Sequence, residues 1–245
     1  MVFVVGVYNS GTTIVKDAIA LHPSVNSAPI EGDQLSGALD SFEEGGWPRG
    51  MYGNASRIMG ARRHEEVDAE LLISDLRPWI KAGQIFLEKS ISNSVRIAQL
   101  RKVFPGAKFV WVIRNPTDVV NGIKRKSKPG PVARKILGSG SYPADFLLRQ
   151  WAFFVRLMMM DMKGGDDCCV CSYENFLNAP AHELKKVFDF LGVATIKLQE
   201  NERGITVGDS QLSLLGNRGA AMDIDLERWV KDQLLEIEGS LCPAG

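Results

Sequence analysis

The strongest structural signal in the sequence lies in Val2-Phe3-Val4-Val5-Gly6-Val7-Tyr8-Asn9-Ser10-Gly11-Thr12-Thr13. Its first four residues are apolar, which predicts a short buried strand. A loop follows over residues 6–11, and apolar residues at helical spacing predict a helix over Thr12–Leu21. Glycines let such a loop wrap closely around a phosphate, and the free N–H groups at the helix start attract one. The segment therefore predicts a strand–loop–helix unit with an anion-binding loop; an ordinary tight turn is the alternative.

The loop has the frame G-x-x-x-x-G-x-T, which matches the Walker A pattern in spacing and in its strand–loop–helix context. Walker A has a lysine before the final Ser or Thr, and Thr12 occupies that position here. Because that lysine reaches the β- and γ-phosphates, a chain without it is poorly equipped for ATP hydrolysis. The loop is thus expected to hold a phosphate other than the triphosphate of a standard NTPase.

The rest of the chain alternates between the two kinds of regular pattern. Short apolar runs predict three more strands, at Ile85–Leu87, Lys108–Ile113 and Cys168–Cys171. Helical patterns occupy residues 66–80, 92–103, 117–123, 144–160, 184–191 and 223–237. Residues 24–64 are expected to be mostly loop with short helical pieces. This order predicts an α/β fold in one domain over residues 1–245, with a central parallel sheet flanked by helices on both faces.

Composition narrows the class of protein. The 245 residues are 45% hydrophobic and 24% charged, which excludes a disordered or fibrous chain. The 29 basic residues balance 29 acidic ones, so a protein that coats nucleic acid is not expected. No apolar run approaches the ~20 residues of a membrane-spanning helix, and the sequence shows no basic leader before its first strand, so neither a membrane partner nor a signal peptide is expected.

Three of the four cysteines crowd into positions 168, 169 and 171, which is a poor layout for a disulfide framework. Reduced thiols in a buried strand are expected, and they favour a cytoplasmic location. The cysteines lack the C-x-x-C spacing and the nearby histidine of zinc sites, and no carboxylate cluster suits a divalent cation. No metal site is therefore predicted.

A second candidate anion site follows the strand Lys108–Ile113. Arg114 stands at the carboxyl end of that strand, and Pro116, a favoured first-turn residue, opens the next helix. Parallel sheets bind ligands beyond the carboxyl ends of their strands, and a guanidinium there suits a second phosphate. An arginine that bridges to a nearby acid is the alternative.

Together these segments resemble the PAPS-dependent sulfotransferases, whose sulfuryl donor is 3′-phosphoadenosine 5′-phosphosulfate (PAPS) and whose product is 3′-phosphoadenosine 5′-phosphate (PAP). Ser10-Gly11-Thr12-Thr13 looks like the 5′-phosphosulfate loop of that family, and Arg114-Asn115-Pro116-Thr117-Asp118 looks like its 3′-phosphate motif, R-N-P-x-D. The motif layout is most similar to the tyrosylprotein, carbohydrate and bacterial-type branches. The resemblance implies a P-loop-like sulfotransferase fold and in-line sulfuryl transfer to an acceptor hydroxyl or amine.

The resemblance also implies roles for individual residues. Glu31, after a family-like helix end at residues 21–25, would be the general base, with Asp33, Glu88 and His64 as rivals. Lys89, in a lysine motif at residues 88–90, would stabilise charge on the sulfuryl group or the leaving oxygen. Residues expected to bind the donor are Asn9, Ser10, Gly11, Thr12, Thr13, Arg114, Lys126, Tyr173 and Arg218. The acceptor, a small molecule, sugar or peptide, would lie against loops in 24–64 and 124–141, with Trp47, Tyr52 and Tyr142 as lining or anchoring residues.

Three positions depart from the family pattern. Asn9 stands where the family usually has Lys or Arg, Gly122 where it has Ser, and Ile91 where it often has Pro. Asn9 and Gly122 motivate one alternative, a catalytically inactive nucleotide-binding relative. A P-loop kinase of a small molecule is the other alternative, and the missing Walker lysine argues against it. The acceptor and the oligomeric state stay open.

Overall fold

The computed structural model describes residues 1–44, 46–64, 67–163, 165–201, 204–207, 210–214 and 231–235. Five parallel strands form the central sheet in the order β2-β3-β1-β4-β5. They are β1 (Val2–Gly6), β2 (Val25–Ser27), β3 (Ile85–Glu88), β4 (Lys108–Ile113) and β5 (Cys168–Ser172). The four predicted strands are present, β4 with the predicted bounds, while β2 lies in a segment predicted to be loop.

Both faces of the central sheet are buried, because successive side chains of a strand point to opposite faces. Phe3 and Val5 of β1 belong to one hydrophobic core, and Val2 and Val4 belong to the other. The 19-residue helix α8 (Ala144–Met162) contributes to the first core, including the fully buried Trp151. Burial on both faces explains the nearly continuous apolar runs of β1 and β4, and it confirms the predicted α/β architecture.

The remaining α-helices are mostly those that the patterns indicate. In chain order they are α1 (Thr12–Ile19), α2 (Gly32–Leu35), α3 (Ala55–His64), α4 (Ala69–Leu76), α5 (Ile97–Val103), α6 (Pro116–Lys126), α7 (Pro131–Leu137), α9 (Tyr173–Asn178) and α10 (Pro180–Leu191). Three 3₁₀ turns, Met51–Asn54, Arg77–Trp79 and Ile91–Val95, precede or extend helices. The helix predicted from residue 92 therefore begins only at Ile97.

A second, antiparallel sheet follows α10. Its strands are β6 (Gln199–Asn201), β7 (Gly204–Val207) and β8 (Ser210–Ser213), in that order. This sheet was not predicted from the sequence. Of the helix predicted over 223–237, the structure describes residues 231–235, which are helical.

The candidate site residues share one edge of the central sheet, since each follows the carboxyl end of a parallel strand. The phosphate loop follows β1, Lys89 follows β3, Arg114 follows β4 and Tyr173 follows β5. Glu31 lies four residues after β2. The topology thus gathers residues that are up to 164 positions apart in the sequence.

Candidate nucleotide-binding and transfer site

The phosphate loop is closed by its own backbone. The Ser10 amide donates to the Val7 carbonyl at 3.1 Å, and the Ser10 hydroxyl donates to the same oxygen at 2.8 Å. Asn9 has a φ of 63° and Gly11 a φ of 95°, so both adopt the left-handed conformation that lets the chain turn into α1. The Ser10 side chain is completely buried, and its hydroxyl proton is used inside the loop.

The start of α1 is open to an anion. Gly11 is its N-cap residue, no side chain caps the helix, and its first turn carries no acidic residue. The first N–H groups of a helix have no partner within the helix, and its dipole favours negative charge there. Thr12 is buried beside Gly6 and Thr13 is exposed.

Gly6 and Ser94 fix the loop to the sheet. The Gly6 amide donates to Ser94 Oγ at 2.9 Å, and the Ser94 hydroxyl donates to the Gly6 carbonyl at 2.8 Å. A Cβ at position 6 would lie 2.6 Å from the Val112 carbonyl oxygen, so a side chain there has no space. The first glycine of the motif is thus required by close packing against β4.

Arg114 lies beside the phosphate loop. Its Nη1 donates to the Asn9 carbonyl at 3.2 Å, and its Nη2 is 3.9 Å from Asp118 Oδ2, which is a loose ion pair. Its Nε is buried and has no hydrogen-bond partner among the described residues. Most of the guanidinium's hydrogen-bonding capacity is therefore available to an anion.

Tyr173 connects the two candidate anion sites. Its ring lies against Gly11, where a Cβ would be 2.1 Å from the ring, and the Arg114 guanidinium carbon sits 4.4 Å from the ring centroid. Nearby, the Asn115 amide donates to Glu174 Oε1 at 2.9 Å, which ties the start of α6 to α9. Burial raises the pKa of the Tyr173 phenol.

The residues expected to act as base and cation form an ion pair. Lys89 Nζ donates to Glu31 Oε1; the Lys89 side chain is 6% exposed and the Glu31 side chain 33% exposed. Glu31 precedes α2, and the next residue, Gly32, donates its amide to the buried Glu88 Oε1 at 2.8 Å. A Cβ at Gly32 would lie 2.5 Å from that oxygen, so a side chain here would displace the Glu88 carboxylate. Glu88 thereby holds the backbone that presents Glu31.

The rivals of Glu31 lie in different surroundings. Burial raises the pKa of Glu88 to about 7, and hydrogen bonds from Ser90 and Gly32 oppose the rise. Asp33 accepts a hydrogen bond from the Ser92 hydroxyl at 3.1 Å, and burial, followed by the charge of Glu31, raises its pKa. His64 ends α3, and its side chain lies outside the described part.

The other residues expected to bind the donor or line the acceptor site have no contact with the Glu31–Lys89 pair among the contacts described here. Lys126 is exposed in the last turn of α6, one turn after Gly122, and Arg218 lies outside the described residues. Trp47 and Tyr142 are 5% and 1% exposed and stack on Phe146, so they anchor loops rather than line an open surface. Tyr52 contacts the same Phe146 ring edge-on.

Sequence reasoning missed two contributors to the site. Ser94 clamps Gly6, and Arg49 donates from Nη1 to Asn9 Oδ1 at 3.1 Å. Ser94 follows the lysine motif by a few residues, which was a weak signal. Arg49 lies in an irregular loop 40 positions from Asn9, and no local pattern marks it.

Two properties of the described part of the chain concern metals and membranes. Within it, no group of three or more His, Cys, Asp or Glu side chains could hold a metal ion. None of the helices described there combines the length and the apolar character needed to cross a bilayer.

Fold and site together define an α/β protein with a P-loop-like candidate phosphate site next to a second, arginine-based candidate anion site. The sequence matches the model of the sulfotransferase family over residues 2–197, and the chain belongs to that family. A putative protein-tyrosine sulfotransferase of Caenorhabditis briggsae is 23% identical in a 197-residue alignment that covers 78% of this chain. The chain spans about 65% of the length of that curated relative.

Solved structures support the fold. A sulfotransferase of Mycobacterium tuberculosis superposes with a TM-score of 0.58 at 12% identity, covering 79% of this chain and 67% of that one. A sulfotransferase of Alicyclobacillus acidocaldarius gives 0.55 at 17% identity, covering 98% and 94%. The family and the fold inferred from the motifs are thus confirmed.

Proposed function

We propose that this chain transfers a sulfuryl group from PAPS to an acceptor hydroxyl or amine and releases PAP. One observation carries the proposal: two candidate anion sites lie side by side with an aromatic ring between them. The start of α1 is one site, Arg114 is the other, and the Tyr173 ring contacts both. PAPS has this chemistry, since it bears a 5′-phosphosulfate, a 3′-phosphate and a flat base.

The polar groups at the site fit such a donor. Arg114 Nε and Asn9 Nδ2 are buried donors without a hydrogen-bond partner among the described residues. Buried donors in a folded protein normally have partners, so unpaired ones at a helix start favour an anionic ligand. The phosphate loop would hold the 5′-phosphosulfate, Arg114 the 3′-phosphate with Lys126 as a second cation, and Tyr173 would lie near the base.

Bound PAPS supplies the sulfuryl group, and the protein supplies position, charge and a base. Glu31 would take the proton of the acceptor while the acceptor oxygen or nitrogen forms its bond to sulfur. The bond from sulfur to the bridging oxygen of the phosphosulfate breaks, and Lys89 would stabilise the negative charge that grows on that oxygen. By analogy with phosphoryl transfer, positioning and charge stabilisation are the main protein contributions.

The ion pair between Glu31 and Lys89 suggests an order for these tasks. Its ammonium and one carboxylate oxygen are engaged with each other. When the leaving oxygen gains charge, it competes with Glu31 for the buried Lys89 ammonium, and Glu31 then becomes free to accept the acceptor's proton. The pair would therefore connect leaving-group stabilisation to base action.

Acceptor and location are the less defined parts of the proposal. The name of the Caenorhabditis briggsae relative makes a tyrosyl peptide one acceptor to screen, beside sugars and small alcohols or amines. Cys168, Cys169 and Cys171 are unpaired thiols in and around β5, which supports the expectation of a cytoplasmic protein.

Binding of PAP tests the donor site without knowledge of the acceptor. A ligand at ~100 times its Kd should add about 2.7 kcal/mol of stability, which is a Tm rise of roughly 5–10 °C for a domain of this size. The rise should be lost in Arg114→Ala and kept in Arg77→Ala, which removes an exposed arginine of a distant turn. No rise with PAP, together with a clear rise for ATP and magnesium, would overturn the proposal in favour of a kinase.

A further inference from the structure

Asn9 receives two arginine side chains. Arg114 Nη1 donates to its backbone carbonyl at 3.2 Å, and Arg49 Nη1 donates to its side-chain Oδ1 at 3.1 Å. Two guanidinium groups thus meet at one residue of the phosphate loop, next to the open start of α1. Like charges repel, so such an arrangement favours an anionic group between or beside them.

The Arg49 guanidinium has no ion-pair partner among the described residues. No carboxylate oxygen among the described residues lies within 4 Å of its guanidinium, although the Arg49 backbone amide donates to Glu43 Oε1 at 2.7 Å. The guanidinium carbon sits 5.7 Å from the centroid of the Tyr8 ring. The side chain is half-buried and ordered by neutral partners, which leaves its charge for a ligand.

The turn that carries Arg49 is held firmly. Arg49 has a backbone φ of 57°, which is unfavourable for a residue with a Cβ. Gln150 Nε2 donates to the Arg49 carbonyl at 2.9 Å, and the Tyr142 and Ser127 hydroxyls donate to the Pro48 carbonyl at 2.9 and 2.8 Å. Strain maintained by several tertiary contacts is typical of functional positions, and these contacts aim the side chain at the loop.

Tyr8 indicates on which side of the donor Arg49 lies. Burial, followed by the nearby charges of Glu43, Glu31 and Asp33, raises the pKa of the Tyr8 phenol. Tyr8 therefore contacts Arg49 and lies close enough to the acid of the Glu31–Lys89 pair to feel its charge. Arg49 is thus on the transfer side of the loop, and Arg114 on the side of Tyr173.

We infer that Arg49 contacts the sulfuryl group of the donor and stabilises the charge on its oxygens during transfer. The inference rests on the proposed function, which it deepens by naming a cation for the transferring group. Arg49 makes and breaks no covalent bond; its N–H groups donate to sulfuryl oxygens while the acceptor attacks sulfur. Asn9 is the positioning residue, since its Oδ1 holds the guanidinium.

Two ligands separate this role from simple phosphate binding. PAP lacks the sulfuryl group, and a PAPS analogue with a methylene in place of the bridging oxygen keeps it without reacting. Arg49→Gln should weaken binding of the analogue by about tenfold or more, as expected for a lost hydrogen bond to a charged group, and change PAP binding by less than about threefold. Isothermal titration calorimetry measures both constants at equal salt.

Three matched variants accompany Arg49→Gln. Arg49→Lys keeps the charge and should retain most of the affinity for the analogue. Adding Asn9→Lys to Arg49→Gln restores a cation at the loop and should recover part of the lost affinity for the analogue. Arg63→Gln removes an exposed arginine from the end of α3 and should leave both constants unchanged.

The outcomes distinguish failure of the proposed function from failure of the role of Arg49. If the wild-type protein binds neither ligand, the proposed function fails, and the role of Arg49 fails with it. If the wild type binds both and Arg49→Gln changes neither constant, only the role of Arg49 is overturned. Equal losses for PAP and the analogue would also overturn it, because they would assign Arg49 to a phosphate.

Discussion

Glu88→Gln should be neutral or destabilising at pH 5 and stabilising at pH 8. Glu88 is 2% exposed; its Oε1 accepts hydrogen bonds from the Gly32 amide at 2.8 Å and the Ser90 hydroxyl at 2.5 Å, and its Oε2 accepts one from Asn93 Nδ2. The new amide keeps one acceptor for Gly32 and Ser90. Its NH₂ faces Asn93, whose Oδ1 is buried without a partner, so a flip of the Asn93 amide restores that hydrogen bond.

The magnitude follows from the pKa of Glu88, which burial raises from 4.5 to about 7. Between pH 4.5 and about 7 the folded protein keeps a proton on Glu88 that the unfolded chain has released. The contribution of Glu88 to wild-type stability therefore falls as pH rises through this range and is level above it. At roughly 1.4 kcal/mol per pKa unit, the loss is about 3 kcal/mol in total. Glu88→Gln cannot ionise and lacks this dependence.

Urea unfolding of the wild type and Glu88→Gln at pH 5, 6, 7 and 8 gives the difference between their free energies of unfolding. The titration of all other groups is common to both proteins and cancels in this difference. Glu88→Ala is the matched comparison: it leaves the Gly32 amide without an acceptor and opens a cavity, so it should be about 2–4 kcal/mol less stable than Glu88→Gln at every pH. A pH-independent difference between wild type and Glu88→Gln would refute the buried titration. Equal losses for the Gln and Ala variants at pH 8 would show that a carboxylate is required.

Two glycine substitutions test the loop. Gly11→Ala combines a φ of 95° with a Cβ 2.1 Å from the Tyr173 ring, so the free energy of unfolding should fall by about 1–3 kcal/mol and PAP affinity at least about tenfold. Gly106→Ala is the control for backbone strain alone, because Gly106 has a φ of 80° and no atom within 4 Å of an added Cβ. Equal effects of the two variants on PAP binding would contradict the prediction. Gly122→Ala places a Cβ 3.1 Å from Asn9 Cβ, so we expect PAP affinity to fall severalfold while better helix propensity, up to about 1 kcal/mol, maintains Tm. Gly60→Ala is the matched control: Gly60 lies in a helix with no atom within 4 Å of an added Cβ, so this variant should gain stability without affecting PAP affinity. Unchanged PAP affinity in Gly122→Ala would contradict the prediction, because it would show that Asn9 tolerates the methyl group.

Strands buried on both faces were the most predictable part of the fold. The run Lys108–Ile113 has the bounds of β4, because burial on both sides leaves no polar position after its first residue. β2 has only three residues, which is too short for a recognisable period, and α3 carries Arg57, Arg62 and Arg63, which obscure its apolar face. The second sheet is formed by short antiparallel strands with mixed polarity.

The candidate site also has a part that sequence patterns predict and a part that they do not. Residues that directly follow a predicted strand, such as Arg114 and Tyr173, could be placed at one edge of the sheet because parallel strands bring their carboxyl ends together. The pairing of Glu31 with Lys89 depends on how the loop after β2 docks on the loop after β3, 58 positions apart. That docking uses backbone amides, such as that of Gly32, whose partners no sequence pattern specifies.

The two departures at positions 9 and 122 belong to one local arrangement. A Cβ at Gly122 would lie 3.1 Å from Asn9 Cβ and 3.5 Å from Asn9 Nδ2, so the residue at position 9 fits closely against a helix surface without a side chain. Asn9 also adopts a φ of 63°, which asparagine tolerates better than most residues. Its Oδ1 then holds the guanidinium of Arg49 at 3.1 Å. The positive charge that the sequence lacks at position 9 is therefore present beside the loop on another segment, and the departures alone do not argue for an inactive relative.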